Sequence, residues 1–431
     1  MNRFASFAFG TALLSLAGTA SAQTVKPLAG VNCVDASAGR ANVVYASGST
    51  ALRPFLGAIA PILAAAATPY TIVYQSAGSC VGVDALYSTD TKKQQLADVA
   101  NNYAVYYPAD GSAPKECWLD KQGRGEPATF APAVPDYPSA DLGVSDVFAS
   151  SCNYAAPPAG VTIGDYLGPV QPMTFIVNAA SKETSISADA AYLAFGLGGG
   201  AGVASGDTTK PTSPWNDPTQ FYVRNASSGT QQMLARAIGV PANQWWGVNK
   251  GSSGSVISGL LAVQPNLADK AIGIVSTDLA DANRGNLRVL ALKSKGQTCG
   301  YLPDSTATSK DKANVRDGHY PVWGPVHFYA KTVGGQPNAG ASAFIQVFNQ
   351  QRIDLSLVTA IASKGLVPQC AMKVTRTTEL GDMSPYRPDI AASCSCVFDK
   401  IANGATSCQT CTASSECTNK GSCNYGFCEA P

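Results

Sequence analysis

Three times along this chain, a short apolar run rich in β-branched residues ends in small or hydroxylated residues and passes into a helical pattern. Residues 41–46 lead to Gly48-Ser49-Thr50 and a helix over 50–67, with Leu52, Phe55, Leu56, Ile59 and Leu63 at helical spacing. Residues 71–75 lead to Gly78-Ser79 and a second helix, and residues 221–224 lead to Ser227-Ser228-Gly229-Thr230 and a helix over 230–238. Further strands are expected at 140–144, ending in Ser145-Asp146, and at 173–178, 271–276 and 326–331. Further helices are expected at 256–263 and 341–350. Strands alternating with helices predict an α/β fold built on a mostly parallel sheet. A polar, Pro-rich stretch over 100–138 reads as an insertion.

Each of the three turns aims backbone N–H groups and a hydroxyl off a helix N-terminus, where the macrodipole favours negative charge. The ordinary role of Ser or Thr in such a place is an N-cap. Arg224 shifts the balance, because it ends an apolar strand four residues before Ser228. An unpaired cation there is costly, and a guanidinium seeks an oxyanion or a carboxylate. With 30 basic and 29 acidic side chains, the chain lacks the positive field of an electrostatic nucleic-acid binder. Two histidines, His319 and His327, leave little room for His-based metal sites or proton relays.

Residues 1–22 have the pattern of a secretory signal peptide: a basic start, an apolar run from Phe4 to about Leu16, and Ala20-Ser21-Ala22 as the cleavage site. That apolar run is too short to span a bilayer, and no later segment reaches the necessary length without polar breaks, so no transmembrane segment is expected. Cleavage after Ala22 places the protein in the periplasm or outside the cell, where the 13 cysteines default to disulfides. Six are widely spaced (Cys33, Cys80, Cys117, Cys152, Cys299, Cys370), and seven crowd the last 38 residues. A tail so poor in apolar residues requires staples and is expected to form a separate disulfide-rich module over 392–431. Cys408-x-x-Cys411 suggests zinc only weakly, since the tail has no histidine. The odd total leaves at least one thiol free or intermolecular.

Four segments in order resemble the PstS-type periplasmic phosphate-binding proteins of ABC transporters, within the class II solute-binding fold. They are Ala46-Ser47-Gly48-Ser49-Thr50, Tyr74-Gln75-Ser76-Ala77-Gly78-Ser79, Gly143-Val144-Ser145-Asp146 and Arg224-Asn225-Ala226-Ser227-Ser228-Gly229-Thr230. The resemblance covers most of residues 40–390. It implies a two-lobed fold with an interlobe cleft, lobe one being 25–169 plus 320–390 and lobe two 170–319. It also implies anion ligands at Thr50, the Ala51 N–H, Ser79, Asp146, Arg224, Ser228, Gly229 and Thr230. Hydroxyls, amides and a guanidinium donate to a tetrahedral dianion, whereas ionised Asp146 only accepts. Hydrogen phosphate brings an O–H to Asp146; sulfate brings none and meets repulsion.

The chain departs from the family in places. Ala226 and Asn225 stand where many members carry an acid to pair with the arginine, so either Arg224 is unpaired or another carboxylate holds it. Ala51 replaces an aromatic residue. Cys80 replaces a small polar residue, with Cys33 a candidate disulfide partner. Arg53, one helical turn from Thr50, reads as a surface charge, with an added anion ligand as the alternative. Gly196-Leu197-Gly198-Gly199-Gly200-Ala201 follows a helical pattern and not a strand, so it fails as a dinucleotide fingerprint. Gly251-Ser252-Ser253-Gly254-Ser255 does not fit a nucleophile elbow, and no catalytic residue, cofactor or metal is expected. The resulting expectation is a phosphate receptor partnered by a membrane ABC permease. The alternatives are an interaction protein that attaches through its Cys-rich tail to an unidentified partner, and a receptor for another oxyanion.

Overall fold

The computed structural model describes residues 42–96, 103–107, 115–118, 138–200, 213–418 and 421–430. The expected signal peptide, Cys33, most of the 100–138 stretch and the end of the Gly-rich segment after residue 200 lie outside the described residues. In chain order the strands begin β1 (Val43–Gly48), β2 (Thr71–Ser76), β3 (Tyr103–Tyr107), β4 (Lys115–Trp118), β5 (Leu142–Ser145) and β6 (Thr162–Asn178). They continue as β7 (Ser185–Ser187), β8 (Phe221–Val223), β9 (Val248–Asn249), β10 (Ile272–Ser276), β11 (Leu287–Val289), β12 (Ala291–Lys293), β13 (Trp323–Val333) and β14 (Gln336–Pro337). Two late hairpins add β15 (Val374–Thr375) with β16 (Ser384–Pro385), and β17 (Ser422–Asn424) with β18 (Phe427–Glu429).

The architecture is α/β, on a sheet ordered β4-β3-β2-β1-β5-β13-β6-β10-β8-β9. The sheet is mixed, which corrects the expectation of a mostly parallel one. The β1–β2, β1–β5, β8–β10 and β8–β9 pairs are parallel, as helix crossovers require. The long strands β6 and β13 run against their neighbours. Strand β6 pairs with β13 over 162–172 and with β10 over 173–176, so one continuous strand serves both halves of the sheet. The expected insertion also contains structure: β3 and β4 form an antiparallel ribbon on the edge of β2.

The helices that carry the turns follow the sequence pattern. Helix α1 (Arg53–Ala64) begins with Pro54 in its first turn, where a missing N–H costs nothing, and buries Phe55, Leu56, Ile59 and Leu63. It stops short of residue 67, its last N–H groups closing at Ala65. Helices α2 (Ser79–Tyr87), α3 (Gly229–Ile238) and α4 (Ser253–Leu261) each start at a strand-end turn or Ser-rich loop. Gly48 at the end of β1 is obligatory, because φ is +150° and an added Cβ would collide with the Val144 carbonyl. Among the described residues no helix is long and apolar enough to cross a membrane.

The tail is stapled by Cys396–Cys408, Cys411–Cys423 and Cys417–Cys428, and Cys370–Cys394 ties it to the preceding chain. It is docked and not free-standing. Val397 and Phe398, 4% and 1% exposed, belong to the same apolar cluster as Val73, Val83 and Trp323. Tyr425 donates to Ile353 O at 2.5 Å, and Asn424 Nδ2 donates to Ile390 O and Ser393 O at 2.7 and 2.9 Å. The sulfurs of Cys411, Cys417 and Cys428 lie within 4.8 Å of one another, but all three are spent in disulfides. Cys80 bonds Cys152, which corrects the candidate pairing with Cys33. Among the described residues the free thiol is the exposed Cys299.

Candidate functional site

The four resembling segments converge. Asp146, just past the end of β5, is 2% exposed, and its Oδ2 accepts Ser49 Oγ at 2.6 Å and Ser79 Oγ at 3.0 Å. The Asp146 N–H donates back to Ser79 Oγ at 3.3 Å. Its second oxygen, Oδ1, is buried with no hydrogen-bond partner among the described residues. Burial raises the carboxyl above its ordinary value, against the two hydroxyls and the charge of Arg224, which lower it. Ser49 is itself positioned from both sides: its Oγ accepts the Ala51 N–H at 3.2 Å, and its carbonyl accepts Tyr74 Oη at 2.6 Å.

Arg224 approaches from the end of β8 and is 3% exposed. Its Nε donates to Gly251 O at 3.0 Å, Nη1 to Ser253 Oγ at 2.6 Å and Nη2 to Thr50 Oγ1 at 3.1 Å. All three acceptors are neutral, and among the described residues no carboxylate is bonded to it in place of the missing acid at 226. Burial lowers the guanidinium to about 10, while Asp146 acts in the opposite direction. The Arg224 N–H is held by Gln231 Oε1 at 2.7 Å, which fixes the strand end against the first turn of α3.

Ser228 caps α3 through its backbone, and Gly229 and Thr230 open the helix. A Cβ on Gly229 would fall against Ser79 Oγ and 2.9 Å from Asp146 Oδ2, so only glycine brings this helix end to the carboxylate. Nearby, Cys80 N donates to Ser227 O at 3.0 Å, a direct contact between the second and third turns. The turns that carry the eight residues singled out in the sequence meet around Asp146 and Arg224; Thr50 is half-buried and the other seven are buried. Thr50 bonds Arg224, and the Ala51 N–H is taken up by Ser49.

Several participants escaped the sequence analysis. Ser49 was recognised as part of its turn but not as a partner of Asp146. Ser253 lies in the Ser-rich loop set aside as a poor nucleophile elbow, and serves to hold Arg224. Its only sequence signal is the N-capping pattern of Ser252, whose Oγ accepts Ser255 N at 3.1 Å. Arg53 pairs with Glu116 at 3.2 Å and is 40% exposed, as expected of a surface charge. His327 Nδ1 lies 2.8 Å from Asp165 Oδ1, and His319 Nδ1 lies 2.8 Å from Asp317 Oδ1. Deeper in the fold, Gln171 Nε2 donates to Asp278 Oδ1 at 3.1 Å, and burial pushes that carboxyl from its ordinary value to about 7.

No protein-family model and no curated protein matches the chain. Solved structures do resemble it. An ABC-type phosphate transport receptor from Vibrio cholerae aligns over 76% of this chain and all of its own, with 13% identity and a TM-score of 0.43. A phosphate-binding protein from Stenotrophomonas maltophilia aligns over 76% of this chain and 91% of its own, at 16% identity and 0.42. A high-affinity periplasmic phosphate-binding protein, PfluDING, aligns over 76% and 90%, at 15% identity and 0.45. Values of this size carry no conclusion about what this chain does.

Proposed function

We propose that this chain is an exported, non-catalytic receptor that holds hydrogen phosphate between two lobes, 25–169 plus 320–390 and 170–319, and delivers it to a membrane ABC permease. The observation that carries this reading is the pairing of unmet needs at Asp146 and Arg224. Asp146 Oδ1 is a buried acceptor without a donor, and Arg224 is a buried cation bonded only to neutral groups. A ligand that is anionic yet carries one O–H answers both requirements. Hydrogen phosphate does so and sulfate does not, since a fully deprotonated anion leaves the carboxylate facing negative oxygen. The first turn of α3 contributes amides and the positive end of its dipole to the same place.

Export is supported by the leader pattern of residues 1–22 and by five disulfides between described residues. The test is calorimetric titration of the oxidised protein, stripped of bound anion, with phosphate and then with sulfate. Tight one-to-one binding of phosphate without sulfate is expected. Folded, stripped protein that gives no heat with phosphate would overturn the reading.

A further inference from the structure

The turn that follows Asp146 is gripped by residues from distant parts of the chain. Ser145 Oγ accepts Val147 N at 3.1 Å and donates to Val147 O at 2.7 Å, which closes the turn on itself. Ala149 N donates to the Tyr329 hydroxyl oxygen at 2.9 Å. One carboxylate oxygen, Glu379 Oε2, then accepts both Phe148 N at 3.1 Å and Ser151 Oγ at 3.3 Å. Glu379 is 231 residues downstream of Phe148 and only 8% exposed.

Glu379 sits in the loop of the β15–β16 hairpin, whose register pairs Val374 with Pro385 and Thr375 with Ser384. The loop is docked by Arg376, stacked over the Trp323 ring at 4.0 Å. Gly324, next to Trp323, explains how the acid comes so near the site. A Cβ there would lie 3.3 Å from Asp146 O and 3.5 Å from Glu379 Oε1, so both pack against the same glycine. A hydrogen-bonded ion pair does not account for Glu379: its Oε1 and all three Arg376 guanidinium nitrogens are buried without a hydrogen-bond partner among the described residues. The bonds it makes are to the turn. Burying a carboxylate is costly, and these two donors offset part of the cost beside the charges of His327, Arg376 and Arg236.

We propose that Glu379 is a positioning residue for the anion site: by clamping Phe148 N and Ser151 Oγ it sets the course of residues 146–151 and so the aim of Asp146 Oδ1. The proposal rests on the hydrogen phosphate reading, and its consequence is that a residue touching no ligand governs both affinity and the choice between phosphate and sulfate.

The test uses the full oxidised chain as wild type, E379A and E379Q, each titrated with inorganic phosphate and with sulfate, and each followed by hydrogen exchange at the Phe148 amide. E379A should weaken phosphate by about tenfold or more, the scale of a lost hydrogen bond to a charged group, and narrow the phosphate-to-sulfate ratio. E379Q should recover affinity to within about threefold, because an amide oxygen still accepts the Phe148 N–H. Exchange at Phe148 should quicken in E379A and stay slow in E379Q. Wild-type binding by E379A would overturn the proposal, as would an E379Q as weak as E379A, which would make charge and not position the operative property. If E379A does not fold, E379D, with its acceptor drawn back by one methylene, takes its place with the same expected directions. A wild type that binds no phosphate would sink the ligand reading alone, and the exchange measurement would still decide whether Glu379 holds the turn.

Discussion

Arg224 Nη2 donates to Thr50 Oγ1 at 3.1 Å, joining the turn after β1 to the end of β8 across 174 residues of chain. The same guanidinium holds Ser253 Oγ and Gly251 O in one Ser-rich loop, so its planar fork ties two loops to the end of β8. R224A should reduce phosphate affinity by about 100-fold or more, as expected for truncating a buried, hydrogen-bonded charge. R224K keeps the charge but not the fork and should fall between R224A and wild type. Calorimetry on both variants checks this, and wild-type affinity in R224A would remove Arg224 from the site.

Asp146 is the proposed discriminator. D146N replaces an acceptor-only carboxylate with an amide that also donates, so sulfate should gain affinity while phosphate loses it. The expected result is a phosphate-to-sulfate ratio at least about tenfold lower than wild type in competition at fixed pH, on the scale of one relieved charge clash. An unchanged ratio would assign selection elsewhere.

Gly229 allows the closest approach between α3 and the carboxylate. G229A places a methyl against Ser79 Oγ and 2.9 Å from Asp146 Oδ2, forcing the helix end away. Alanine is the better helix former, so the variant should keep its fold while losing phosphate affinity by about tenfold or more. Circular dichroism beside calorimetry separates the two effects.

Asp278 predicts a pH dependence of stability. Burial raises its folded pKa from 3.8 to about 7, so between those values the native state retains a proton that the unfolded chain has released. Stability therefore falls as pH rises from about 4 to about 7 and levels off above that range. D278N should flatten part of this slope and, at pH 8, be the more stable protein by up to a few kcal/mol. Urea midpoints across pH 4–8 test it; the raised carboxyls of Asp146 and Glu379 act in the same direction and keep some slope in the variant.

Cys370–Cys394 closes a segment of sequence separation 24 that contains the β15–β16 hairpin. Replacing both cysteines with serine should lower stability by about 3 kcal/mol in the chain-entropy account, read as a shift of the urea midpoint. Deleting residues 392–431 should cost more, because it also uncovers the core packed against Phe398.

The parallel strands were legible because each is a short apolar run that ends at a glycine or serine turn, and β1, β2 and β8 begin within two residues of expectation. Strand β3 was hidden: Tyr103–Tyr107 is a β-rich run, but it sits within a Pro-rich stretch that reads as insertion. The first half of β6 carries exposed residues such as Thr162 and Leu167, so its pattern emerged only from Met173 onward, where both faces are covered. The site residues on turns could be found from local motifs. Ser253 and Glu379 could not, since each matters only through a partner brought near by folding. The pairing of Cys80 with Cys152 belongs to the same class, because spacing along the chain does not encode disulfide connectivity.

The docking of the tail also bears on when this protein can become itself. Among the described residues its largest apolar cluster runs from Val73 to Val397 and Phe398, and so draws on segments far apart in sequence. A chain made N-terminus first cannot seal that cluster until residues 397 and 398 have been made. Until then buried apolar side chains such as Val73 and Trp323 lack part of their cover, and the chain exposes surface that the finished fold hides.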